Sequence, residues 1–345
     1  MVLAGVVPQT PSVFIIVILV ATGLVWIGTG WLEGAAERLS TYYGLPPVVQ
    51  GSVVVAIGSS FPEFASVVFT AAAGVFSMGI GAIVGSAIFN ILVIPALSGI
   101  LAQQGVESNR NIVYKEAQFY MIAVSALIVT FALAVIYLPA PNRGELVGMI
   151  TRPLAVIPLF VYLLYLFIQW QEVSDYTQDV SADSIAVGRE WGRLVAGLIA
   201  ILIAIEQMVG AVEGLGSIIG IPEFLAGVTI IAAATSLPDT LVSVRAARSG
   251  DGTTSLGNVL GSNTFDLLVV IPVGVLIVGT VPVNFATAVP MFGVLTLATV
   301  LLFTVLRTDL TLTQRESYVL GAAYTLFIIW IIAESAGITG ILKTV

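Results

Sequence analysis

Residues 226–244 read AGVTIIAAATSLPDTLVSV. The run would carry an unbroken membrane helix were it not for Ser236, Leu237, Pro238 and Asp239 near its middle. A charged side chain at the bilayer centre costs at least about 2.5–3.5 kcal/mol, and a proline inside a helix removes a hydrogen bond at a cost of about 3 kcal/mol. Placing both at one point calls for a reason beyond spanning.

The rest of the chain supports reading this run as membrane-embedded. Of 345 residues, 58% are hydrophobic and 9% charged, whereas soluble domains carry roughly 25% charged residues. Mean hydropathy is +1.07. Apolar runs of about the 20 residues needed to cross hydrocarbon recur along the whole length, which makes the chain an all-α polytopic membrane protein. Hydrophobic runs bounded by charge or turn residues place ten transmembrane helices near 12–31, 45–73, 78–101, 116–138, 152–170, 190–213, 221–248, 253–279, 284–306 and 316–338. The first run, PSVFIIVILVATGLVWIGTGW, reads as a span rather than a cleaved leader.

Cysteine and histidine are absent, which removes disulfides, thiol chemistry, imidazole proton relays and the usual transition-metal ligands. Ion chemistry here must use oxygen. The net charge of −8 argues against a nucleic-acid partner. Loops after the odd-numbered spans hold Arg38, Arg110, Lys115, Arg189, Arg193, Arg245, Arg248, Arg307 and Arg315, and the opposite face only Arg143, Arg152 and Lys343. The positive-inside rule then puts both termini outside the cell membrane and the acidic linker at 173–188 inside.

Self-similarity explains the interruption. GSSFPE at 58–63 answers ATSLPD at 234–239, so 176 residues separate Glu63 from Asp239. The same offset carries Gly44 to Gly220, Pro46 to Pro222 and Gly51 to Gly227. It continues into GSAIFN at 85–90 and GSNTFD at 261–266, pairing Gly85 with Gly261, Ser86 with Ser262 and Asn90 with Asp266. With five spans in each half, 1–172 and 189–345, the second half enters the membrane inverted relative to the first. Inverted repeats with interrupted helices place substrate and coupling-ion sites at the midplane between the halves. The repeat cores run over about 44–92 and about 220–268.

The residues around the breaks are oxygen donors. Pro62 and Pro238 lack an N–H, which frees the carbonyls of Gly58 and Ala234. The hydroxyls of Ser59, Ser60, Thr235 and Ser236 and the carboxylates of Glu63 and Asp239 lie beside them, and Ser86/Asn90 and Ser262/Asp266, each four apart, share a helical face. Ca2+ takes 6–8 oxygens in flexible geometry, and this inventory suits it; Na+ uses the same oxygens. Taken singly, such a proline is a kink, such glycines are packing positions and such hydroxyls bond back to their own helix. Duplication beside a carboxylate sets them apart. The set is expected to form one water-accessible cluster at the midplane. Glu33, Glu37, Glu206, Glu213, Glu223 and Glu334 read as solvated or structural, although Glu37 and Glu213 share the 176-residue offset, which leaves an access-path role open.

These four elements resemble the two alpha-repeats of the sodium/calcium exchangers, whose patterns are G-[ST]-S-x-P-[ED] and G-S-[NA]-x-x-[ND]. The resemblance implies that Glu63 and Asp239 are the central Ca2+ ligands. It sets Ser60, Ser86, Asn90, Ser236, Ser262 and Asp266 around the Ca2+ and Na+ sites, with Thr235 contributing its backbone carbonyl. Ser59 stands where threonine is common and Ala234 where the second repeat usually has glycine. Asp266 is similar to the potassium-dependent branch, which leaves K+ coupling open. The implied function is an antiporter, not an enzyme, extruding Ca2+ by using the inward Na+ gradient, with the lipid bilayer as its surroundings. Neither a cofactor nor an obligate protein partner is implied. The rival of the same fold, a Ca2+/H+ exchanger, resembles GNAxE in each half, which this chain lacks.

Overall fold

The computed structural model describes residues 8–44, 56–102, 105–141, 144, 146–173 and 186–342. Most of the acidic linker, both chain ends, Pro46 and Gly51 lie outside the described residues.

Fourteen α-helices are described: α1 Pro11–Tyr42, α2 Ala56–Ser59, α3 Phe61–Ala72, α4 Phe76–Leu101, α5 Ala117–Tyr137, α6 Arg152–Val173, α7 Val187–Ile219, α8 Glu223–Ala226, α9 Ala232–Thr235, α10 Leu237–Arg248, α11 Gly252–Phe265, α12 Ile271–Val278, α13 Phe285–Leu306 and α14 Gln314–Ser335. Short π-helical turns lie at Asn111–Glu116, Gly227–Ile231 and Asp266–Val270, each continuous with its neighbouring helices. Among the described residues eight helices are long and apolar enough to cross a membrane, and Glu223–Thr235 with Leu237–Arg248 makes a ninth, bent by 46°. The expected span at 45–73 begins outside the described residues, and α2 and α3 are its visible part.

The helices divide by what surrounds them. α4 is apolar on every face and buried on most of them, which marks the central helix of a membrane bundle. α1, α6 and α14 turn rows of large apolar side chains outward, among them Ile16, Leu19, Phe160, Leu163, Leu326 and Ile332. Water would not tolerate so large a continuous apolar surface; lipid does. The main core runs through α4, α5 and α10 to α14, and a smaller one packs Val25 and Leu32 of α1 and Ile201 and Met208 of α7 against Ala65, Met78, Ala82, Ile231 and Ala234. The α1–α7 pair therefore lies over the segments that contain the breaks.

Close approach in the membrane relies on small residues. A Cβ at Gly85 of α4 would fall on the Val228 backbone, and one at Gly227 on the Met78 carbonyl. α4 and the segment Glu223–Ile231 thus meet backbone to backbone, and side chains further along both face a common space.

The membrane-crossing elements are all helical as expected, and two short strand pairs lie in the connections between them. β1 Val106–Glu107 pairs with β4 Thr311–Leu312, and β2 Val147–Thr151 with β3 Thr280–Asn284, both antiparallel. The longer ladder sets Val147 opposite Asn284 and Thr151 opposite Thr280. Each strand sits in a connection between helices, where the backbone has no helical partner, and pairing satisfies those groups. VGMIT and TVPVN are short runs rich in β-branched residues, a signal that the spans on either side obscure.

Candidate cation-binding site at the helix breaks

Both breaks are one residue wide. α2 ends at Ser59 and α3 begins at Phe61, while α9 ends at Thr235 and α10 begins at Leu237, with Ser60 and Ser236 at φ/ψ of −87°/6° and −79°/−4°. Pro62 and Pro238 are the second residues of the new helices. The first N–H groups of any helix have no intrahelical acceptor, so a proline there forfeits nothing, and the cost inferred from the sequence largely vanishes. Glu63 and Asp239 follow in the first turn, where the partial positive charge of a helix N-terminus favours a carboxylate.

All ten residues singled out from the sequence (Ser59, Ser60, Glu63, Ser86, Asn90, Thr235, Ser236, Asp239, Ser262 and Asp266) are buried, none more than 1% exposed. The polar contacts run crosswise between the halves. Ser86 Oγ donates to Glu63 Oε1 at 3.4 Å and lies 2.7 Å from Ser236 Oγ, so one hydroxyl joins the acid of the first half to the break of the second. Asn90 Nδ2 donates to Asp239 Oδ2 at 3.2 Å. Thr235 faces Glu63, Ser59 and Ser262 face Asp239, and Ser60 faces Asp266. Thr235 Oγ1 bonds back to the Ile231 carbonyl at 3.1 Å and Ser262 Oγ to that of Val259 at 3.3 Å, so these two hydroxyls also serve their own helices.

Six buried oxygens here have no hydrogen-bond partner: Ser60 Oγ, Glu63 Oε2, Asn90 Oδ1, Asp239 Oδ1 and both carboxylate oxygens of Asp266. Five of these atoms can only accept. A buried acceptor without a donor costs about 1–3 kcal/mol, more when charged, so a set of this size, drawn from both halves, is strongly unfavourable when empty. A cation would suit such acceptors, since it supplies positive charge and demands oxygen. Among the described residues no three acidic side chains form a compact metal-ligating group. The carboxylates are instead interleaved with hydroxyl and amide oxygens, and the cluster is closed to water in this structure rather than open as expected.

The sequence reading missed two amides. Asn263 accepts from Asn90 Nδ2 at 3.0 Å and donates to the Ala87 carbonyl at 3.2 Å and to the Tyr120 hydroxyl at 3.3 Å, fixing the amide that faces Asp239. Asn258 also lies beside Asp239 and donates to Ser243 Oγ at 3.1 Å. Asn263 was visible as the polar member of the Ala87/Asn263 mismatch, in a motif that also differs at Ile88/Thr264 and Asn90/Asp266. Asn258, one helical turn before Ser262, was visible only by its spacing.

The profile of a family described as sodium/calcium exchanger protein matches residues 13–171 and 190–333. An uncharacterized membrane protein of Methanocaldococcus jannaschii is 28% identical over 81% of this chain and 85% of its own length. Sodium/calcium exchanger MaX1 of Methanosarcina acetivorans is 25% identical over 72% of this chain and 79% of its own. Among solved structures, the sodium-calcium exchanger NCX_Mj superposes with a TM-score of 0.63 at 22% identity, covering 93% of this chain and 99% of that one, a likeness of fold.

Proposed function

This chain belongs to the sodium/calcium exchanger family, and from that premise we propose that it is a secondary antiporter exchanging Ca2+ against Na+ by alternating access, extruding Ca2+ by using the inward Na+ gradient. In this reading the chain is two inverted five-helix halves, 1–172 and 189–345, joined by a cytoplasmic linker at 173–188, with both termini outside. Glu63 and Asp239 are the central Ca2+ ligands. Ser59, Ser60, Ser86, Asn90, Thr235, Ser236, Ser262 and Asp266 complete overlapping Ca2+ and Na+ positions.

The observation that carries the reading is the set of partnerless buried oxygens contributed by both halves. Because ligands come from each side of the interface, relative motion of the halves exposes the same cluster first to one face and then to the other, and a shared cluster makes the two ions compete. Asp266 brings a third carboxylate, one negative charge more than a single Ca2+ balances. That surplus suits several monovalent cations.

The test is 45Ca2+ uptake into proteoliposomes under Na+, K+ or H+ gradients imposed singly. A Na+ gradient alone should drive uptake, with inhibition by Na+ on the Ca2+-binding side steeper than first order. Uptake that follows the H+ gradient and ignores Na+ assigns the chain to proton coupling, and uptake that needs K+ together with Na+ to potassium-dependent exchange.

A further inference from the structure

α1 carries a second line of oxygens outside the cluster. Thr29 Oγ1 and Glu33 Oε1 are both buried without a hydrogen-bond partner, and Thr29 is 0% exposed. They are four residues apart, so they lie on one face of α1, and the exposed Glu37 extends that face by another turn. The stem of Glu33 packs on the first break: a Cβ at Gly58 would lie 3.5 Å from Glu33 Cγ. Electrostatically Glu33 is in reach of Asp239 inside the site and of Arg245, which is exposed on the same helix as Asp239. Asp239 and Arg245 are six residues apart, about 9 Å along that helix. Glu33 is thus in electrostatic reach of both the cluster and the Arg245 end of α10.

Glu37 answers Glu213, but the second half has no polar counterpart of Thr29 or Glu33. At the 176-residue offset, Thr29 corresponds to Ile205, Glu33 to Val209 and Gly58 to Ala234, all three buried in the smaller apolar core. The halves differ here by an acid with room made for it on one side and a sealed apolar contact on the other.

We propose that Thr29 and Glu33 form a way-station for one transported cation between the midplane cluster and the membrane face that bears Arg245. The identity of the ion rests on the antiport reading. Arg245 is the positive charge in electrostatic reach of Glu33, and its field opposes an arriving cation.

The test measures 45Ca2+/Na+ exchange from each face separately in oriented proteoliposomes. Glu33→Gln and Thr29→Val should raise the half-saturating Ca2+ concentration on the Arg245 face roughly three- to tenfold, leaving the opposite face and the maximal rate unchanged. Arg245→Gln should lower it. A loosened fold would not move two charge changes in opposite directions, and Arg245→Gln keeps the test decisive if Glu33→Gln fails to fold. Equal shifts on both faces, or none on either, overturn the way-station while leaving antiport standing. Wild-type protein that exchanges neither ion from either face removes the antiport reading, and the way-station with it.

Discussion

The two helix breaks have one frame and different contents. α3 and α10 begin and end at residues 176 apart, as do the starts of α4 and α11. Within that frame Asn90 sits in regular α-helix, bonded to Asp239 and Asn263, whereas Asp266 opens a π-helical turn with neither oxygen partnered. π-turns inside helices recur at functional sites because they re-aim side chains that a regular helix would point elsewhere. Duplication sets where the proposed ligands stand. The departures from it set how charge is shared out.

The comparison breaks most severely where the halves touch backbone to backbone. Gly85→Val should cost about 3 kcal/mol or more, since the clash is with backbone that no rotamer change relieves, and thermal melting in detergent should show loss of the folded protein. Retention of the wild-type melting temperature would mean that α4 and Glu223–Ile231 are not held at the spacing described.

A gentler change sharpens the charge difference. Asp266→Asn makes the position chemically equal to Asn90, and it should leave Ca2+ affinity within about threefold while shifting the Na+ concentration that half-inhibits Ca2+ binding by about tenfold. Loss of Ca2+ binding as complete as that from Glu63→Gln would make Asp266 a primary ligand and end the proposed division of labour.

Asn263→Ala strips one member of the amide pair from its three partners. Destabilisation of about 1–2 kcal/mol is expected, with weaker Ca2+ binding because Asn90 is no longer held against Asp239. Melting and 45Ca2+ binding measured together would contradict this if stability fell and affinity did not.

The smallest effect belongs to the link between α1 and α7. Arg38 donates to Glu190 Oε2 through Nε at 2.8 Å and Nη2 at 2.6 Å, and Arg193 to Oε1 at 3.2 Å. The arginines are partly exposed, so Glu190→Gln should cost under about 1 kcal/mol, and a larger loss in the melt would show that this pairing, rather than the apolar seam, holds the two helices together.

Much of this was legible in the sequence because the duplication is itself a measurement. A motif repeated in register across two helices put both interruptions beside Pro62 and Pro238, and the ten expected residues are buried around the breaks at Ser60 and Ser236. The energetic reading of Pro62 and Pro238 was incomplete, since a proline charged as a helix defect is harmless once the helix restarts one residue earlier. Asn263 escaped because a search for matches passes over a mismatch. Glu33 escaped because the expected first span ends at residue 31, which puts Glu33 at the interface, whereas α1 runs on to Tyr42 and only the fold shows Gly58 against its stem. The strand pairs join loops far apart in sequence, and nothing local states such pairing.

The central claim is that one cation position is built from both halves, and equilibrium 45Ca2+ binding to purified protein, compared among wild type, Glu63→Gln and Asp239→Asn, tests it most directly. One saturable site per chain, lost in each single variant while both remain folded, is the predicted result. Two sites in the wild type, with each variant losing one and keeping the other, would contradict it.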